Sequence, residues 1–184
     1  MLNLRNIASK PLMILPGVWL SAIAALAAQS GPSISLDLGV VMETAAIGAK
    51  VAMPVTLVTN SEETKVERVT LQMSFPAKGL TFREATKGTA LLSIDASIDA
   101  EVKDSENGEK ILQLEVSAPG AMPQGTLVYL SFEIGHDIEP DTEIRMKNLK
   151  QSAQAVDGKA LDTYGIDGSI TVLTPAAPCF FYMH

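Results

Sequence analysis

The sequence predicts an all-β domain, an antiparallel β-sandwich or jelly roll of about nine strands. From residue 33 onward apolar residues mostly recur at every second position, the period of strands with one buried face. Clusters of Gly, Pro, Asn, Asp and Ser separate these runs at short intervals. The same region shows no convincing apolar repeat of helical period, so an amphipathic helix is not expected.

Each strand follows from its own alternation. "SISLDLGVV" places Ile34, Leu36, Leu38 and Val40 on one face. "KVAMPVTLV" does the same with Val51, Met53, Val55 and Leu57, and carries Pro54 on the opposite parity, which points to an edge or a bulge because proline donates no ladder bond. "VTLQMSF" sets Val69, Leu71, Met73 and Phe75 against Thr70, Gln72 and Ser74. "LTFREA" and "ALLSIDASI" read as weaker strands on either side of a turn at Lys87 and Gly88. After the turn "DSENGEK", "ILQLEVSA" alternates Leu112, Leu114 and Val116 against Gln113 and Glu115. "TLVYLSFEI" follows the loop "PGAMPQG" with Val128, Leu130, Phe132 and Ile134, and "TEIRMKNLK" and "GSITVLT" close the series.

The first 27 residues have the three parts of a secretory leader: Arg5 and Lys10, an apolar run from Pro11 to Leu26, and Ala25 and Ala27 placed for cleavage before Ala28. The run falls short of the roughly 20 residues of a spanning helix and is broken by Pro16 and Gly17, so a leader is expected rather than an anchor. Export to the periplasm, cell surface or medium follows, without membrane insertion after cleavage. The remaining residues, roughly 155, suit one domain spanning 28–174, with 175–184 as an apolar tail. With the leader removed the formal charge moves from −7 to −9, since both leader cations are lost. An acidic chain without a Lys/Arg cluster has no electrostatic footprint for nucleic acid. One cysteine makes no internal disulfide, so the core alone must stabilise the exported fold.

Catalytic patterns are missing. The two histidines, His136 and His184, have no nucleophile elbow to serve, and His136 sits in a polar turn. Acidic residues such as Glu67, Glu84, Asp104, Glu115 and Glu133 occupy turns or polar parities, as solvated faces do, rather than forming an evident glycosidase pair. Asp157, Asp162 and Asp167 in "VDGKALDTYGIDG" offer hard oxygen ligands for calcium, but their spacing is not that of a calcium loop and Asp-Gly is ordinary turn chemistry. No phosphate loop, paired-cysteine motif or haem motif is present, and neither an enzyme nor a cofactor is expected.

Several segments then resemble, in order and spacing, a cohesin domain, the jelly roll that captures dockerin modules. They are "GAKVAMPVTL" at 48–57, "VERVTLQMSFPAKGLTFREATKG" at 66–88, "GTLVYLSFEI" at 125–134 and "DGKALDTYGIDGSITV", together covering the chain from about Ile34 to Leu173. Where the family commonly has Asp before the proline, Phe75 stands directly before Pro76. The resemblance implies a non-catalytic protein-binding module whose dockerin-like partner docks on one sheet face. Carried over by strand parity, it names Arg68, Thr70, Gln72, Ser74, Gln113 and Glu115 as the outward, partner-binding residues. Calcium would then belong to the partner. Two other roles share the fold: a structural or adhesive envelope module, and a carbohydrate-binding module for polysaccharide. The latter has few rings to stack on, since Trp19 leaves with the leader and Tyr129 and Tyr164 remain.

The chain closes on "PAAPCFFYMH". Two prolines end the last strand, and Cys179, Phe180, Phe181 and Tyr182 follow. Two uses are open to this run: packing back onto the sandwich or a sheet edge, or serving as an exposed handle with a thiol for covalent attachment. Cys179, Met183 and His184 are too few fixed ligands for a metal site. Intact mass of the exported protein is expected to place its first residue at Ala28. A mass that retains Trp19 would make the leader an anchor.

Overall fold

A computed structural model describes residues 32–173, apart from 44–47, 106 and 140. The expected leader (1–27) and the tail with Cys179, Phe180, Phe181 and Tyr182 lie outside the described residues. The strands are β1 (Ser33–Leu38), β2 (Val40–Glu43), β3 (Lys50–Thr59), β4 (Val66–Pro76), β5 (Leu80–Lys87), β6 (Ser97–Asp104), β7 (Glu109–Met122), β8 (Gly125–Ile134), β9 (Thr142–Ala155), β10 (Ala160–Tyr164) and β11 (Gly168–Val172). The sole helical element is a 3₁₀ turn over Thr89–Leu91, so the chain is all-β among the described residues.

The strands follow one hydrogen-bonded path, β5-β8-β3-β1-β10-β9-β4-β7-β6, with β11 joining β9 to β2. Each β-strand turns alternate side chains to opposite faces, so the observed alternation leaves one apolar face per layer. The path doubles back, and β5-β8-β3-β1 faces β9-β4-β7-β6 across a shared core. On four strands the predicted inward residues are all buried: Val69, Leu71, Met73 and Phe75 on β4, Leu112, Leu114 and Val116 on β7, Val51, Met53, Val55 and Leu57 on β3, and Val128, Leu130, Phe132 and Ile134 on β8; of the first run Ile34, Leu36 and Leu38 are buried, whereas Val40, which starts β2, is exposed. At its centre the Phe75 ring meets Phe132 of the opposite layer edge-to-face at 5.2 Å, and Phe82 packs on Phe132 at 5.7 Å. Each such pair contributes about 0.5–1.5 kcal/mol beyond the area it buries.

Eleven strands replace the nine expected, and each difference has a local cause. "SISLDLGVV" is two strands, β1 and β2, divided at Gly39. There the backbone comes so close to β3 that a Cβ on Gly39 would lie 2.5 Å from Pro54 Cγ, while the Gly39 N–H donates to the Pro54 carbonyl at 2.9 Å. β1 stays beside β3, and β2 crosses to pair with β11. Pro54 does mark an irregularity, with a bulge next to it between Val55 and Thr56. "ALLSIDASI" opens as the 3₁₀ turn, because Ala90 and the fully buried Leu91 pack inward consecutively, which a two-residue period forbids. The strand itself starts at Ser97 and continues through Asp104. β7 extends through most of the expected loop to Met122, and β10 forms where Asp-Gly turns alone were expected. The sandwich is not wholly antiparallel, since β1 pairs with β10 and β2 with β11 in parallel.

A polar tie closes the seam between the layers. A bulge in β9 beside the Gln72/Met73 step of β4 swings Asn148 inward, where its amide donates to the Leu36 carbonyl of β1 at 2.7 Å. Gly165 makes room, for a Cβ there would sit 2.1 Å from Asn148 Nδ2 and 2.7 Å from the Leu36 carbonyl oxygen. Urea unfolding should therefore show Phe132→Ala losing about 3–5 kcal/mol, the usual cost of an emptied aromatic site. Gly165→Ala should also lower the midpoint, and wild-type stability of both variants would remove the core and the seam as the fold's supports.

Candidate partner-binding face

The outward side of β9-β4-β7-β6 is the polar counterpart of the core alternation. Strand register arranges it in rows. Ser97, Ser117, Arg68 and Gln154 form one, followed by Asp99, Glu115, Thr70 and Ser152, and then Glu101, Gln113, Gln72 and Lys150. Neighbours hold each other across strands: Thr70 Oγ1 lies 2.6 Å from Ser152 Oγ, and Ser97 Oγ 2.8 Å from Ser117 Oγ. Lys103 Nζ donates to Gln113 Oε1 at 2.8 Å and approaches Glu101 at 3.1 Å. Arg68 Nε reaches Glu115 at 3.5 Å with both side chains about half exposed, so this bridge orients more than it stabilises. Thr70, Gln72, Gln113, Glu115, Asp99 and Lys150 line a shallow depression on this surface.

Five of the six residues named by parity lie on this face with solvent access: Arg68, Thr70, Gln72, Gln113 and Glu115. Ser74 does not. It has outward parity but is 2% exposed, because Lys147 of β9 and Glu109 of β7 join across β4 at 3.1 Å and cover it. The Lys147 ammonium, with the nearby Ser74 hydroxyl second, holds the Glu109 carboxyl below its ordinary range. Ser74 Oγ nonetheless makes no bond of hydrogen-bonding geometry.

Parity missed the flanking strands. Asp99 and Glu101 belong to β6, which the sequence reading placed too early, and Lys150 and Ser152 lie beyond the bulge that breaks the alternation of β9. The signal for β6 was present as Ile98, Ala100 and Val102, whose alternation runs on into "DSENGEK".

The face is electrically uneven. Asp99 stands directly opposite Glu115, an arrangement that costs free energy in a ladder, and Lys150 lies across the sheet on β9. Asp99 and Lys150 form no ion pair among the described residues. No aromatic ring stands in these rows.

The calcium candidates are apart. Asp157 pairs with Lys159 at 2.7 Å at the β9–β10 turn, Asp162 lies within β10, and Asp167 accepts the Asn148 N–H at 2.7 Å. Among the described residues no three His, Cys, Asp or Glu side chains converge on a metal position. His136 is exposed in the turn after β8. No helix of the described residues is long and apolar enough to cross a membrane.

No family model matches the chain, and no curated protein does. Solved structures do. A non-cellulosomal cohesin from the archaeon Archaeoglobus fulgidus is 16% identical with a TM-score of 0.59, over 77% of this chain and 92% of its own. A cohesin solved in a type I cohesin–dockerin complex from Clostridium thermocellum is 16% identical with a TM-score of 0.61, over 77% and 99%. A type I cohesin from Pseudobacteroides cellulosolvens is 18% identical with a TM-score of 0.60, over 82% and 98%. The chain thus has the fold of a cohesin domain.

The Lys147 bridge has a titration signature. A depressed carboxyl pKa supports the folded state above the ordinary carboxylate range, and the support fades as pH falls through the folded value. In an NMR titration, Lys147→Met should return Glu109 toward its ordinary value. An unmoved Glu109 would show that Lys147 does not set it.

Proposed function

We propose that the cohesin fold serves here as an exported, non-catalytic protein-binding module that captures a dockerin-like partner on the β9-β4-β7-β6 face. Among the structural relatives, the Clostridium thermocellum cohesin was solved in a cohesin–dockerin complex. The observation that carries the reading is the opposed pair Asp99 and Glu115, with Lys150 across the same open rows. Like charges facing one another in a ladder are destabilising. A cationic partner group over Asp99 and Glu115 would offset that cost, and an acidic group would meet Lys150.

Such complementarity sets orientation and encounter rate more than raw affinity. The aliphatic part of the contact would come from half-exposed Leu149 and the partly exposed Ile111 at the margin of the rows. A sugar-stacking platform needs rings, and the rows carry none, so a polypeptide suits this face better than polysaccharide.

The test uses the full chain as bait against secreted and envelope fractions of its source, with calcium and with chelator. Calcium-dependent capture of a protein bearing a dockerin-type module is expected. The double variant Gln72→Arg with Glu115→Arg should lose that capture without a fall in its melting temperature, since Glu115→Arg sets an opposite charge across from Asp99. Capture unaltered by the double variant would move the partner off this face. Calcium-independent capture of an envelope protein would instead support the adhesive role.

A further inference from the structure

We propose that the outer edge of β6 is a strand-addition site, where an extended segment of a partner polypeptide that alternates apolar with basic side chains continues the β9-β4-β7-β6 sheet. The strand path ends on β5 and β6, and the two ends are not alike. β5 is bulged at Arg83, between Phe82 and Glu84, and a bulge is one of the devices that keep an edge from pairing with another chain. β6 instead runs in unbroken register with β7, from Ser97 opposite Ser117 to Asp104 opposite Lys110, and contains no proline. Among the described residues no strand pairs with its other side.

Ladder geometry decides which groups this edge presents. Where β6 turns into β7, the Ser105 N–H donates to the Glu109 carbonyl at 3.0 Å. Backbone bonds of an antiparallel pair fall on alternate residues, so Asp99 and Glu101 bond to β7 while Ile98, Ala100 and Val102 turn both N–H and C=O to the open side. The side chains of the same three residues are also short of cover. They pack against the core but are only partly buried, whereas their β7 partners Val116, Leu114 and Leu112 are 0%, 2% and 0% exposed. One more strand would complete the apolar row with its inward side chains and meet the free backbone groups with its own.

Charge selects the occupant. On the outward parity the edge carries Asp99 and Glu101, and the nearby Lys103 is engaged by Glu101 at 3.1 Å and Gln113 at 2.8 Å. A second copy paired antiparallel about Ala100, the register that uses all three open residues, would set Asp99 opposite Glu101 twice, and like charges so placed are destabilising. Lys or Arg at those positions of an added strand is attracted instead. The contact is made at the rim of the face proposed for a dockerin-like partner and does not depend on that reading.

The probe is a capped peptide of about ten residues that alternates valine and lysine, added to the full chain. Amide hydrogen exchange read by NMR should find Ile98, Ala100 and Val102 faster than Asp99 and Glu101 in the free chain, and slowed at least about tenfold once the peptide binds. The same peptide methylated on its valine nitrogens keeps its charge but cannot bond to the edge, and it should leave those amides unprotected. Ala100→Pro removes an edge donor without removing a bond to β7, and should weaken the peptide at least about tenfold, since main-chain bonds supply the affinity of an added strand. Asp99→Lys with Glu101→Lys should transfer the preference to a valine and glutamate peptide. Three results would each overturn the proposal: no binding of the valine and lysine peptide, binding that leaves the three amides unprotected, or a dimer of the free chain in which they are already protected. None of these readouts uses a dockerin or calcium, so their failure is distinguishable from a failure of capture on the open face.

Discussion

The edge-to-face contact between Phe75 and Phe132 is where the two layers meet, and the remaining organisation depends on it. Both rings are fully buried, one on a central strand of each layer, and Phe82 adds a third ring from the neighbouring β5. Once these two positions face inward, strand geometry commits every second residue of β4 and β8, and pairing extends the commitment to β3, β7 and β9. A slip of one residue in any of them would expose its whole apolar row. The register of the polar face is therefore set from the inside: Thr70 and Gln72 are outward because Val69, Leu71 and Met73 are not.

That dependence explains how a face with unfavourable local electrostatics persists. The Asp99 and Glu115 opposition costs a few tenths of a kcal/mol to about 1 kcal/mol by the usual scale of cross-strand pairs. The buried rows beneath it are far larger in their contribution, since each fully buried aliphatic side chain supplies about 1.5–3 kcal/mol. The sheet thus tolerates the opposed charges on its outward face. Nearby ion pairs divide by role. Arg68 with Glu115 is half exposed and adaptable, whereas Lys147 with Glu109 spans β4 and seals Ser74 from solvent.

The partner-binding candidates were legible only in part. Arg68, Thr70, Gln72, Gln113 and Glu115 followed from two strands with clean alternation. Ser74 obeyed the same parity and yet is buried, because what covers it comes from strands distant in sequence. Asp99 and Glu101 were hidden by inward-packed Ala90 and Leu91, which displaced the apparent start of β6. Lys150 and Ser152 were hidden by the bulge at Leu149, where one extra residue reverses the apparent parity.

Alternation, turn residues and the order of the segments were enough, by themselves, to determine an all-β sandwich with its inward rows on β3, β4, β7 and β8, because a period of two has a single way to bury apolar side chains. Where the chain leaves one sheet for another was decided by tertiary contact. Gly39 divides β1 from β2 because Pro54 leaves no room for a side chain, and Gly165 is required because Asn148 crosses the seam to Leu36. Neither demand is visible in the residues next to it in the chain. The parallel pairing of β2 with β11 and the meeting of Asp99 with Glu115 are likewise products of register between distant strands. Local sequence determines which face of a strand is buried, while the packed fold determines which strand lies beside it.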